Sequence, residues 1–215
     1  MIPRSEAEDH LRVIRSLMEK ATIYRALSAP AALVGGVLSI TASIFLMWYE
    51  RHDGPNDITS MLFTIVWGAV FFLTAGISLI LIRRDAQRRG EPFISIGFRS
   101  ATRAALPALA FAAVQTLAAI FRESVYYLVP WWIAFYGIAL LAMGHFAPRS
   151  ISILGWCFLV AGAVSVGGKL DHFLGSQPHF GSELPQFIDG PCLLMGFTFG
   201  LFHLVYAACT WSRRT

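Results

Sequence analysis

The chain has 215 residues, 56% of them hydrophobic and 14% charged, with a formal net charge of +4. A water-soluble domain spends about a quarter of its residues on charge. The composition therefore excludes an ordinary soluble enzyme or binding module and makes lipid the principal solvent, as does a mean hydropathy of +0.59.

Residues 1–27 form a charged lead segment. Ser5 stands three residues before Glu8, the spacing of a capping box, and Glu6, Glu8 and Asp9 fall where acids suit the positive end of a helix. Leu11, Ile14, Leu17, Met18 and Ala21 then recur at helical spacing, which predicts an amphipathic helix lying on the inner membrane surface.

Six hydrophobic runs follow, at 28–48, 61–82, 104–121, 125–144, 151–168 and 192–211. A helix needs about 20 residues to cross the hydrocarbon core, so the expected fold is an all-α membrane protein with six transmembrane helices behind an N-terminal amphipathic helix. The first run starts too late, lacks a small-residue cleavage site and is long enough to span, so it reads as a retained helix rather than a secretory signal. Ser28 and Pro30 mark its start. Ala31, Gly35 and Ser39, with Ala32 and Gly36 one residue on, form a small-residue stripe, and Gly196, Gly200 and Ala207 form another in the last run. Stripes of this kind let backbones approach closely in lipid, here preferably within one chain, with a homo-oligomer left open. Prolines near helix starts (Pro30 with Pro130, Pro107 with Pro191) invite comparison of helices 1–3 with 4–6 as an inverted repeat. Residues 169–190 form an outer loop and 212–215 a short inner tail.

Fourteen of the 17 Lys and Arg residues fall on one side of this arrangement; the other side holds Arg51, Arg122 and Lys169. Positive loops stay in the cytoplasm, so both termini are expected there. The sequence pI of about 9.2 then reports membrane sidedness and affinity for anionic lipids rather than nucleic acid. Trp48, Tyr49, Tyr126, Tyr127, Trp131 and Trp132 lie at the expected outer interface, and Tyr24 and Trp211 at the inner one.

The run "DHLRVIRSLMEKATIYRALSAPAALVGG" resembles the opening of a loose group of small multi-helix bacterial inner-membrane proteins, in which an "IR..ME" helix leads directly into the first span. The resemblance covers roughly the first forty residues. It implies a bacterial cytoplasmic-membrane protein and, since no activity attaches to the group, assigns no functional residues.

Few residues carry chemistry. His203 is the one His well inside an expected span, and an ionisable group at that depth faces a bundle interior. A neutral imidazole bonded to a backbone carbonyl or to a hydroxyl such as Thr198 or Tyr206 is the plain reading; a ligand, proton or haem contact is the functional one. For haem, the second His would be His145 or His172, neither of which shares its depth. Gln115 sits near mid-membrane and is expected to bond to another helix, whereas Arg103 snorkels to the interface. The segment "GGKLDHFLGSQPHFGSELPQFIDGP" offers His172, His179 and Glu183, with Asp171 and Asp189, as weak metal ligands, but its Gly and Pro residues read as turns and its apolar residues as a cap over the bundle. Glu50, His52, Asp53 and Asp57 add acidity on the same side. Cys157, Cys192 and Cys209 show no paired spacing, and Cys157 and Cys209, inside hydrophobic helices, read as apolar fillers.

No phosphate-binding Gly loop, nucleophile elbow or zinc-protease motif is present. No cofactor is named by these residues. The expected function is a non-enzymatic membrane component that binds or transports a small solute, or senses the membrane, near His203 and Gln115. The alternative is a membrane-embedded enzyme or a metal or haem redox protein using intramembrane and outer-face His.

Overall fold

A computed structural model describes residues 10, 29–53, 57–90, 94, 96–120, 128–144, 147–173 and 190–211. Among these residues there are helices and short turns and no strands. In chain order the helices are α1 (Ala29–Asp53), α2 (Asp57–Arg89), α3 (Ile96–Ile120), α4 (Val129–Met143), α5 (Arg149–Phe173) and α6 (Pro191–Met195), then a π-helical segment (Gly196–Phe202) and α7 (His203–Trp211). The last three elements run on as one rod of 21 residues.

Among the described residues five rods are long and apolar enough to cross a membrane: α1, α2, α3, α5 and the rod from Pro191 to Trp211. The expected span at 125–144 differs. Its helix, α4, has 15 residues, about 22 Å at 1.5 Å per residue, against about 30 Å of hydrocarbon. The four longest helices, α1, α2, α3 and α5, outrun their expected spans, because hydropathy marks only the part immersed in hydrocarbon while the hydrogen-bond ladder continues through polar residues. Thus α2 carries on through Arg83, Arg84 and Asp85 to Arg89, and α3 begins at Ile96 instead of 104. Pro107, expected near a helix start, consequently lies inside α3. It offers no N–H to the carbonyl of Arg103, a gap that membrane helices tolerate. The lead helix expected over 1–27, His10 apart, and the loop residues 174–189 lie outside the described residues.

Helix packing falls into two groups of three. In one, α1 packs against α2 and against the Pro191–Trp211 rod; in the other, α4 packs against α3 and α5. The division cuts across the halves 1–3 and 4–6, since the last rod joins the first two helices while α3 joins α4 and α5.

Glycines set both groups. A methyl group on Gly137 would stand 2.6 Å from the backbone nitrogen of Leu159, and one on Gly162 would stand 2.7 Å from that of Ala134. Backbones of α4 and α5 thus touch wherever a side chain is missing. In the other group, a methyl on Gly36 would meet Leu204 Cδ2 at 2.8 Å, and one on Gly200 would meet Ile40 Cγ1 at 2.6 Å. Gly196 lies equally close to Ser43, and Gly35 to Thr74 on α2. Both stripes read from the sequence are therefore used inside the chain.

The fully buried large side chains, Phe63, Leu46, Ile133, Ile151 and Phe158, come from both groups and form one core. The outward faces of α2 and α3 are apolar and bare: Phe71, Phe72, Leu73, Leu106, Phe111 and Leu117 are all exposed. Patches of this size are not left open to water; they are covered by lipid.

The glycine contacts give a direct expectation. Gly137→Val or Gly162→Val forces α4 and α5 apart and lowers unfolding free energy by about 1–3 kcal/mol, the usual cost of overpacking. Gly68→Ala, placed where nothing lies within 4 Å, leaves it unchanged or slightly raised. Thermal unfolding in detergent, followed by circular dichroism, reads the difference.

Candidate functional site

The two helix groups meet along a seam of rings. From α2 come Phe63 and Trp67, from α4 Trp132 and Tyr136, from α5 Phe158, and from the last rod Phe199. Trp67 lies 6.2 Å from Phe199, while Tyr136 and Phe158 each lie 5.0 Å from it, centroid to centroid. These separations suit tilted aromatic pairs. Phe199 is the hub that both groups share.

His203 enters this seam because of where the π segment ends. The backbone N–H of His203 bonds to the carbonyl of Gly200, and its side-chain Nδ1 lies 2.8 Å from the carbonyl of Phe199. A carbonyl oxygen can only accept, so Nδ1 carries the hydrogen. In the neutral ring Nε2 is then a bare acceptor, and it lies 3.0 Å from the hydroxyl of Tyr136 on α4. The chain of donors runs Tyr136 O–H to Nε2, then Nδ1–H to the Phe199 carbonyl. Phe158 closes over the imidazole at 5.5 Å, edge to face.

The plain reading of His203 is met in its carbonyl partner, and its hydroxyl partner is Tyr136, whereas Thr198 turns back to the carbonyl of Leu194 at 2.8 Å. Tyr136 escaped sequence reasoning because it sits among apolar neighbours in "WWIAFYGIAL". A signal existed: a tyrosine in mid-span needs a partner for its hydroxyl, and the span holding His203 was available to supply one.

Gln115 is half-buried on α3 and is not among the bonded or ring partners of His203. A polar side chain of α3 that reaches another helix is its neighbour Thr116, whose hydroxyl accepts from Trp132 Nε1 at 2.9 Å and donates to the carbonyl of Ala112 at 2.7 Å. Trp132 also stacks on Phe63, at 6.1 Å and 14°. It thus turns inward, while Trp131 stays exposed as an interfacial ring would. One polar atom in the seam is unsatisfied: the indole N–H of Trp67 is buried and has no acceptor among the described residues.

At the end of the bundle where α1 finishes and α6 begins, two of the residues read as an acidic surface have close neighbours. The carboxylate of Glu50 lies beside the buried Cys192 thiol, and His52 lies against Trp48, with Nδ1 2.8 Å from its carbonyl. Among the described residues no three His, Cys, Asp or Glu side chains converge. Of the expected metal or haem positions, His145, His179 and Glu183 are outside the described residues, and only the backbone of His172, within α5, is described.

The Tyr136–His203 bond has a spectroscopic signature. In protein labelled with nitrogen-15 histidine, His203 should show a protonated Nδ1 and a bare Nε2, the less common neutral tautomer. Tyr136→Phe strips Nε2 of its donor and lowers stability by about 1–3 kcal/mol; an unchanged spectrum and melting point would show that the bond does not form.

Comparison with known protein families, with curated proteins and with solved structures finds no match to this chain in any of the three.

Proposed function

We propose that the protein is a non-enzymatic membrane component that binds a small, neutral solute carrying a hydrogen-bond acceptor, at the ring seam between the two helix groups. The observation that carries this reading is the buried indole N–H of Trp67, which has no acceptor among the described residues, beside a seam where Trp132, Tyr136 and His203 are paired. A buried donor left without a partner costs about 1–3 kcal/mol. A solute bringing a carbonyl or ether oxygen recovers that cost and places its apolar body among Phe63 and Phe199. Neutrality follows from the lining, which is aromatic and uncharged. His203, held by Tyr136, is the second polar contact in this reading, and Gln115 of α3 a third.

The experiment is a thermal-shift titration of purified protein with a short-chain benzoquinone, a long-chain ketone and, as the acceptor-free control, an alkane of similar size. The first two should raise the melting temperature and the alkane should not. Trp67→Phe should abolish the shift while preserving the fold, as circular dichroism would verify. Equal response to all three compounds, or a full response from Trp67→Phe, refutes the reading.

We further propose that α4 completes a sixth crossing, that both termini are cytoplasmic, and that the chain resides in a bacterial inner membrane with residues 1–27 as an amphipathic helix on its inner surface. The support is the charge asymmetry, with fourteen of 17 Lys and Arg on one side. Single cysteines placed at 88 and 180 in a chain free of other cysteines should react with an impermeant maleimide from opposite faces of the membrane. Labelling of both from one face overturns the topology.

A further inference from the structure

Consecutive helices joined by a short link ordinarily pack closely, and α2 and α3 are not among the closely packed pairs. Arg89 ends one and Ile96 begins the other, yet α2 packs on α1 and α3 packs on α4. Both are the least covered of the long helices. At their far ends the same side chain touches both: Trp132 stacks on Phe63 of α2 and donates to Thr116 of α3. The interval between the two helices thus runs from the helix ends at Arg89 and Ile96, seven positions apart in the chain, to Trp132, with apolar walls along its length.

In a bilayer such an interval fills with acyl chains, since neither water nor vacuum suits apolar walls. What marks this one out is charge. Arg83, Arg84 and Arg88 lie on the final turns of α2, and Arg99 and Arg103 on the first turns of α3. All five therefore fall at the Arg89 and Ile96 end of the interval. All five are exposed, and none forms an ion pair among the described residues. Guanidinium groups bind phosphate through paired N–H donors, which gives geometry as well as charge.

We infer that an anionic diacyl phospholipid is seated between α2 and α3, its phosphate held by guanidiniums of both helices and its chains lying in the interval up to Trp132. The lipid takes the place of close packing between the two helices and ties the two packing groups together on that side.

The test uses the full chain purified in mild detergent and exposed to mixed micelles of phosphatidylglycerol and phosphatidylcholine, with bound lipid counted by native mass spectrometry. Phosphatidylglycerol should be retained about ten-fold or more over phosphatidylcholine, equivalent to the attraction of one or two basic side chains near a membrane surface. The quadruple variant Arg84→Gln, Arg88→Gln, Arg99→Gln, Arg103→Gln should bring that ratio to about one. Because the variant could also unfold, the wild-type chain gives a second readout: phosphatidylglycerol with a photoactivatable acyl chain should crosslink chiefly to α2, α3 and Trp132. Inorganic phosphate at millimolar concentration should not displace the lipid, which separates a seated lipid from a simple phosphate site. Equal retention of the two lipids, displacement by inorganic phosphate, loss of selectivity in 0.5 M salt, where the screening length falls to about 4 Å, or crosslinks spread evenly over all helices would overturn the inference.

Discussion

Hydrocarbon supplies no hydrogen-bonding partner, and that lack governs which polar groups this chain carries inside and how each is arranged. Three buried hydroxyls turn back on their own helices: Ser165 to the carbonyl of Ala161, Thr198 to that of Leu194 and Thr210 to that of Tyr206. Each is satisfied locally and so tolerates burial without fixing a neighbour. Tyr136 and His203 cannot solve the problem alone. A phenol has no carbonyl within reach along its own helix, and an imidazole bonded at one nitrogen still exposes the other. Their mutual bond resolves both deficits and, unlike the hydroxyl bonds, joins the two helix groups.

Packing divides along the same line. Inside each group, glycines let backbones touch, as at Gly137 against α5 and Gly36 against the last rod. Such contacts leave little room to slide, because the neighbour is main chain or a branched side chain. Between groups the contact is made by rings at 5 to 6.2 Å, whose attraction tolerates a wide range of tilt. A structure built in this way is stiff within its groups and adaptable between them, which is where an unsatisfied donor and a buried imidazole are found.

Much of the fold could be read from the residues alone. Long apolar runs gave the helices, and the four-residue spacing of Gly35, Gly36, Gly196 and Gly200 located the faces that pack together. Gly137, Gly155 and Gly162 were equally readable, yet single glycines seven or more apart in two helices reveal a shared contact only once the partner is known. Helix ends were not legible, since the hydropathy of Arg83 or Arg99 reflects its solvent and says nothing of its backbone. His203 stood out by rarity, and its inward direction followed from cost. Its partner on α4 did not, because which two rods lie side by side is a tertiary fact. Gln115 shows the limit plainly: the polar link at that depth was expected, and the neighbouring hydroxyl of Thr116 makes it.

The π segment carries a further implication for how this chain came to be and how it tolerates change. Each wide turn holds one residue more than an ordinary helical turn, so Gly196–Phe202 acts as a built-in phase shift within the last rod. A regular ladder over the same residues, with none removed, would rotate every later position by about 100° about the helix axis, and only the loss of one residue would bring them back. With none removed, the imidazole would swing off its tyrosine while the composition and greasiness of the rod remained the same. The alignment of this interior thus depends on an arithmetic surplus in the chain, to which hydropathy is blind.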